Sequence, residues 1–167
     1  LNESATIGKV IEAILSEVEC DILVVDDGST DETANIASSY GAHVLSHPIN
    51  LGVGSAIRSA LNYSMKNNYK ATVQVDADGQ HSPKHIKDLL DELNNGFDMV
   101  VGSRFDSDYR IGRLRKFAMN GLARRSSKAV KSKITDSTSG FRAFNTKAVE
   151  ILAPVYPSAY LSDTVEA

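Results

Sequence analysis

Two carboxylates one residue apart, Asp76 and Asp78, follow the alternating run Thr72-Val73-Gln74-Val75 and precede Gly79 and Gln80. In an extended segment side chains alternate faces, so both acids are expected on one side with the small Ala77 between them. Hard oxygen donors at a strand end, with the amide of Gln80 next in line, suit Mg²⁺ or Mn²⁺, ions that keep open positions for substrate phosphates. A second acidic cluster, Asp26-Asp27-Gly28-Ser29-Thr30-Asp31-Glu32, closes the apolar run Ile22-Leu23-Val24-Val25. Such a run reads as a buried parallel strand, and open α/β sheets bind ligands outside the carboxyl ends of their strands. Two strands that both end in acids therefore point to one shared pocket. Ser29 or Thr30 can cap a following helix, where Asp31 and Glu32 favour the positive end. Asp26 and Asp27 are not explained that way.

The elements that must position these acids follow from periodicity. Ile7, Val10, Ile11, Ile14, Leu15 and Val18 recur at helical spacing and predict an opening helix over about 5–18. A strand is then expected over 22–25, a helix over 31–39, a strand over 43–45 and a helix over 54–66. After the strand 72–75, Ser82 and Pro83 mark a helix start, Ile86, Leu89, Leu90 and Leu93 its buried face, and Gly96 its end. A strand over 99–101 follows. This alternation argues for α/β architecture with a mostly parallel sheet covered on both faces. Gly52 and Gly54 precede a helix and read either as a tight turn or as backbone that approaches a ligand. His81 reads as an exposed loop histidine, with a fourth metal-side group as the alternative; His43 and His47 flank a strand and read as structural or solvent-facing.

Composition bounds the rest. A chain of 167 residues that is 42% hydrophobic can bury one sizeable core, which favours a single domain over 1–167. The single cysteine, Cys20, excludes a disulfide within this chain and a multi-thiolate zinc site, and fits a reducing compartment. No run approaches the roughly 20 apolar residues of a membrane span. Membrane contact must then be peripheral or come from segments outside this chain. Between Arg110 and Lys133 lie nine of the chain's 18 basic residues and no acid, interleaved with Ile111, Leu114, Phe117, Ala118 and Leu122. A basic amphipathic helix on anionic lipid and a solvated helix face both fit. Nucleic acid is disfavoured, because Phe117 is the one aromatic platform there and the whole chain carries a net charge of −3.

Taken in order, Asp26-Asp27-Gly28-Ser29 with Asp31 and Thr33, Asn50-Leu51-Gly52-Val53-Gly54, Asp76-Ala77-Asp78-Gly79-Gln80, Gly102-Ser103-Arg104 and Ser139-Gly140-Phe141-Arg142 resemble the family 2 inverting glycosyltransferases. The likeness is greatest to the dolichol or polyprenyl-phosphate mannose synthase-like branch. It implies a GT-A (Rossmann-like) fold, a GDP- or UDP-sugar donor, a Mg²⁺ or Mn²⁺ ion on Asp76, Asp78 and Gln80, and work at the cytoplasmic face of a membrane. It also implies that Asp27, with Asp26 behind it, reads the nucleotide base, that Glu3 ends the first-strand motif beside the nucleoside, and that Gly54 lies near the nucleotide. Arg104 and then Arg115 would bind the donor diphosphate or a lipid phosphate.

The implied reaction is transfer with inversion to a polyprenyl phosphate, or alternatively to a saccharide acceptor in cell-surface polysaccharide synthesis. A phosphate acceptor is already ionised, whereas a hydroxyl needs a carboxylate within reach; Asp136 is the first candidate, Asp163 and Glu166 the others. Two departures from the family stand out: Leu1 replaces the usual Tyr before Asn2-Glu3, and the apolar strand before it is missing. A helix that opens a βαβ unit needs a strand on either side, so a preceding strand and residues beyond Ala167 are expected in a longer polypeptide. Readings from other classes are a signalling receiver, a nucleotidyltransferase and a silent nucleotide-sugar-binding domain. A receiver needs a Lys after its fifth strand and makes no use of a second acid such as Asp78.

Overall fold

A computed structural model describes residues 1–102 and 139–157. The elements run α1 (Ile7–Glu17), β1 (Leu23–Asp26), α2 (Thr33–Ser39), β2 (His43–Ser46), α3 (Val53–Lys66), β3 (Ala71–Gln74), a 3-10 turn (Pro83–His85), α4 (Ile86–Asn94), β4 (Met99–Val101), β5 (Arg142–Asn145) and α5 (Thr146–Val155). Strand β4 has the bounds that periodicity predicts, and the other expected elements differ from theirs by one to four residues. The helix announced by Pro83 opens as a 3-10 turn, and α4 starts only at Ile86. Strand β5 and helix α5 were not read from the sequence.

The described strands form two sheets. Strands β1 and β2 pair in parallel, with Leu23 opposite His43 and Asp26 opposite Ser46. In the second sheet β5 lies between β3 and β4 and is antiparallel to both. Among the described residues no strand joins β1 to β3.

Successive residues of β5 face opposite sides, as strand geometry requires. Phe144 packs with Ile57, Leu61, Val149 and Tyr156 between α3 and α5. Ala143 packs with Ile14, Ile86 and Leu89 under α1 and α4. The sheet is therefore covered on both faces, and burial of a side chain such as Leu61 contributes about 2 kcal/mol. The first turns of α1 make a third cluster, Ile7 and Ile11 with Ala37 and Ala42, against β1 and β2. Helix α1 thus touches both sheets, and the acidic turns that follow β1 and β3 lie near its N-terminal half.

Candidate functional site

The turn after β3 is built differently from its sequence-based reading. Strand pairing stops at Gln74, and residues 77–79 form a turn, so the facing of Asp76 and Asp78 follows from turn geometry and not from strand alternation. Ala77 packs into the Ile7 cluster, and a Cβ on Gly79 would sit 3.9 Å from Val10 Cγ2, so the turn rests on α1. Asp78 and Gln80 are exposed; the Gln80 amide N–H donates to Asp78 Oδ1 at 2.9 Å.

Asp76 is held from two sides. The backbone N–H of Asp76 donates to His81 Nδ1 at 3.1 Å, and His81 Nε2 lies 3.6 Å from Asp76 Oδ2. His81 is only 7% exposed, not a solvent-facing loop histidine, and its ring stacks on Phe141 with centroids 5.2 Å apart. On the other side, a Cβ on Gly140 would fall 2.6 Å from Asp76 Oδ2, so only glycine lets this backbone approach the carboxylate so closely.

The residues present fit a hard divalent ion. One turn offers two carboxylates and an amide oxygen, the donor set that Mg²⁺ or Mn²⁺ takes while leaving room for phosphate oxygens. Among the described residues no group of three or more His, Cys, Asp or Glu side chains forms a complete protein cage for an ion.

The turn after β1 is a closed hydrogen-bond knot. Asp27, 8% exposed, accepts from the Leu51 N–H at 3.0 Å and the Gly52 N–H at 2.8 Å, and pairs with His47 Nδ1 at 2.7 Å. His47 Nε2 continues to Ser59 Oγ at 2.9 Å. Burial alone would push the Asp27 carboxyl up, but the hydrogen bonds from His47, Leu51 and Gly52 outweigh it and hold it below the usual carboxylate range. Asp27 also occupies the positive end of α3, where Gly52 is the cap and Gly54 is buried in the first turn. Gly28, at φ 75°, has the Asn50 N and Ile49 C atoms 2.7 Å from where a Cβ would stand, so this turn and residues 49–50 meet backbone to backbone.

Asp26 is buried as well and accepts from the Ser29 backbone and hydroxyl. The start of α2 differs from expectation: its cap position is Glu32, which makes no side-chain cap hydrogen bond, and Asp31, not Ser29 or Thr30, accepts from the Thr33 N–H at 3.0 Å. Hydrogen bonds to Thr33 and Ser4 pull the Asp31 carboxyl far below its ordinary value. Asn2, Glu3 and Ser4 are stitched to this loop through Ser29, Thr33 and Asp31. The Glu3 carboxylate accepts from Thr6 Oγ1 at 2.8 Å.

The structure therefore gathers Glu3, Asp26 and the 29–33 loop at the start of α1, with the Asp76–His81 turn against the same helix. Arg104, Arg115, Asp136, Asp163, Glu166 and the basic stretch 110–133 lie outside the described residues. The structural alternative holds for His47, but sequence reasoning missed its partners Asp27 and Ser59, the duties of His81 and Gly140 and the burial of Arg142. Arg142 is 2% exposed, with Nε–H donating to Ser139 O at 2.8 Å and Nη1 to the Tyr156 hydroxyl at 3.1 Å. No signal beyond membership of the Ser139–Arg142 motif marks it.

Residues 1–152 match the model for Glycosyl transferase family 2. The chain belongs to this family. Among curated relatives of this family 2 chain is a polyprenol monophosphomannose synthase of Mycolicibacterium smegmatis, 31% identical over 138 residues, covering 77% of this chain and 52% of the relative. An undecaprenyl-phosphate mannosyltransferase of Micrococcus luteus is 35% identical over 104 residues, 59% of this chain and 41% of that protein. The chain thus spans about half the length of these relatives. Glucosyl-3-phosphoglycerate synthase of Mycobacterium tuberculosis, solved with Mn²⁺ and UDP-glucose, superposes with a TM-score of 0.66 at 28% identity, over 88% of this chain and 54% of that one. The GT-A-like fold inferred from the motif order is the fold found.

Proposed function

We propose that this chain is the donor-binding catalytic domain of a metal-dependent inverting glycosyltransferase that moves a sugar from a GDP- or UDP-sugar to a polyprenyl phosphate. The observation that carries this reading is the 76–81 turn, where two carboxylates and an amide oxygen share one turn, backed by Gly140 of a second family motif. A divalent ion on Asp76, Asp78 and Gln80 would neutralise charge developing on the departing diphosphate as a Lewis acid. Arg104, and secondarily Arg115, adds fixed positive charge for the same oxygens. Glu3, Asp26, Asp27 and Gly54 border the nucleoside side; with three of roughly four acceptor sites on Asp27 already engaged, its contribution there is chiefly to hold the 49–52 loop in place.

Inversion requires the acceptor to attack opposite the leaving group. A polyprenyl phosphate brings its own negative oxygen, and a saccharide hydroxyl would instead need Asp136 as base. The polyprenyl-phosphate relatives support the first acceptor. The basic, apolar-interleaved 110–133 stretch supports peripheral contact with an anionic leaflet at the cytoplasmic face.

The test is a panel of nucleoside diphosphates with Mn²⁺ against the full-length protein. The matching one should raise thermal stability, by about 2.7 kcal/mol at one hundred times its dissociation constant. The matched nucleotide-sugar should then label polyprenyl phosphate in detergent. No stabilisation by any diphosphate removes the donor reading; transfer to a saccharide but not to the lipid phosphate removes the acceptor.

A further inference from the structure

The imidazole of His81 has both nitrogens turned toward Asp76. Its Nδ1 faces the Asp76 backbone N–H at 3.1 Å, and an amide N–H can only donate, so Nδ1 accepts. A neutral imidazole carries one proton, which must then sit on Nε2, and a protonated nitrogen has no lone pair for a metal. That Nε2–H lies 3.6 Å from Asp76 Oδ2. The ring is buried and fixed by its stack on Phe141, while Gly140, the residue before Phe141, places its backbone against the opposite side of the same carboxylate. A carboxylate with a ring edge on one side and a glycine on the other has few rotamers left.

We infer that His81, its ring fixed by Phe141, is a positioning residue for the metal-binding carboxylate of Asp76 and not a metal ligand, with Gly140 forming the other half of the clamp. The inference rests on the metal-dependent reading given under Proposed function. A pre-set Asp76 loses less side-chain freedom when an ion arrives, and partners that orient a ligand in this way typically contribute ten- to a hundredfold in metal affinity.

The test is a Mn²⁺ titration of the full-length protein followed by electron paramagnetic resonance, with the stabilising nucleoside diphosphate present. His81→Ala should weaken Mn²⁺ binding by about ten- to a hundredfold while nucleoside diphosphate affinity in chelator stays at the wild-type value. His81→Gln, whose amide can donate to the carboxylate, should recover part of the loss. Gly140→Ala, which crowds Asp76 from the other side, should weaken Mn²⁺ in the same way. Pulsed measurements on the Mn²⁺-loaded protein should show no imidazole nitrogen coupling that His81→Gln removes.

Such a coupling, or wild-type Mn²⁺ affinity in His81→Ala, overturns the inference. Should His81→Ala fail to fold, wild-type affinity in both His81→Gln and Gly140→Ala overturns it equally. A wild-type protein that binds nucleoside diphosphate but no Mn²⁺ defeats the metal-dependent reading and the clamp with it. Wild-type Mn²⁺ binding with unaltered variants defeats the clamp alone.

Discussion

The turns after β1 and β3 carry nearly the same sequence signature, an apolar strand, two acids and a glycine, and the fold uses them in opposite ways. At 26–29 both carboxylates are buried and their acceptors turn inward, Asp27 onto His47, Leu51 and Gly52, and Asp26 onto Ser29. At 76–79 the second acid is exposed and the first is held by its neighbours without being buried. An acid whose lone pairs are satisfied by the protein stabilises the fold; an acid left to solvent is available for an ion. Residue type alone does not separate the two cases.

The sharpest way to break this comparison is to neutralise one acid from each turn and read both activity and stability. Asp78→Asn should cut sugar transfer by about a thousandfold, equivalent to about 4 kcal/mol of transition-state stabilisation, while the unfolding midpoint in denaturant stays at the wild-type value. A large stability loss in that variant would put Asp78 in the structural class. Asp27→Ala should do the reverse. It removes the acceptor of the Leu51 N–H, the partner of His47 Nδ1 and one of the two acceptors of the Gly52 N–H, and chemical denaturation should show a loss of roughly 3 kcal/mol.

The knot also predicts a graded effect further from the acid. Ser59→Ala removes only the last link of the Asp27–His47–Ser59 chain and should cost about 1 kcal/mol, read as a shift in the same denaturation midpoint. The smallest effect concerns pH. The Asp27 carboxyl is held below its unfolded value, so its stabilisation is present above the ordinary aspartate range and is lost as pH falls through the lower folded-state value. The stability gap between wild type and Asp27→Asn should therefore be flat above about pH 5 and narrow below about pH 4. A gap unchanged down to about pH 2 would mean that the hydrogen bonds do not depend on the charge.

Much of this was legible in the sequence, for physical reasons that are specific to each element. Helices α1, α3 and α4 bury one stripe each, so their apolar residues recur at the helical period, and β4 is a short apolar run bounded by Asp98 and Gly102. Strand β5 hid because it opens on Arg142, a buried charge whose guanidinium donates hydrogen bonds to Ser139 O and the Tyr156 hydroxyl, among other partners. Helix α5 hid behind Pro154 near its end. His47 and His81 were legible as residues but not as partners, since their acids lie 20 and 5 positions away and nothing in spacing announces which loop histidine folds back. The pair Asp76 and Asp78, proposed above to hold the ion, was legible as two neighbouring acids even though the turn, not the strand, arranges it.

The central place of β5 has a consequence for the order of assembly. Among the described strands, β3 and β4 do not pair with each other; each is joined to β5, which begins 41 residues after β4 ends. Closing so long a connection costs chain entropy before any pairing repays it, so this sheet belongs among the slow, non-local parts of the molecule. During synthesis the hairpin-like register of Val73 with Ala143 and of Val100 with Ala143 cannot form until residue 145 has left the ribosome. Until then Asp76 also lacks the Gly140 wall beside it. The two acids of the turn leave the ribosome early, and the Gly140 backbone reaches Asp76 only after most of the chain has been made.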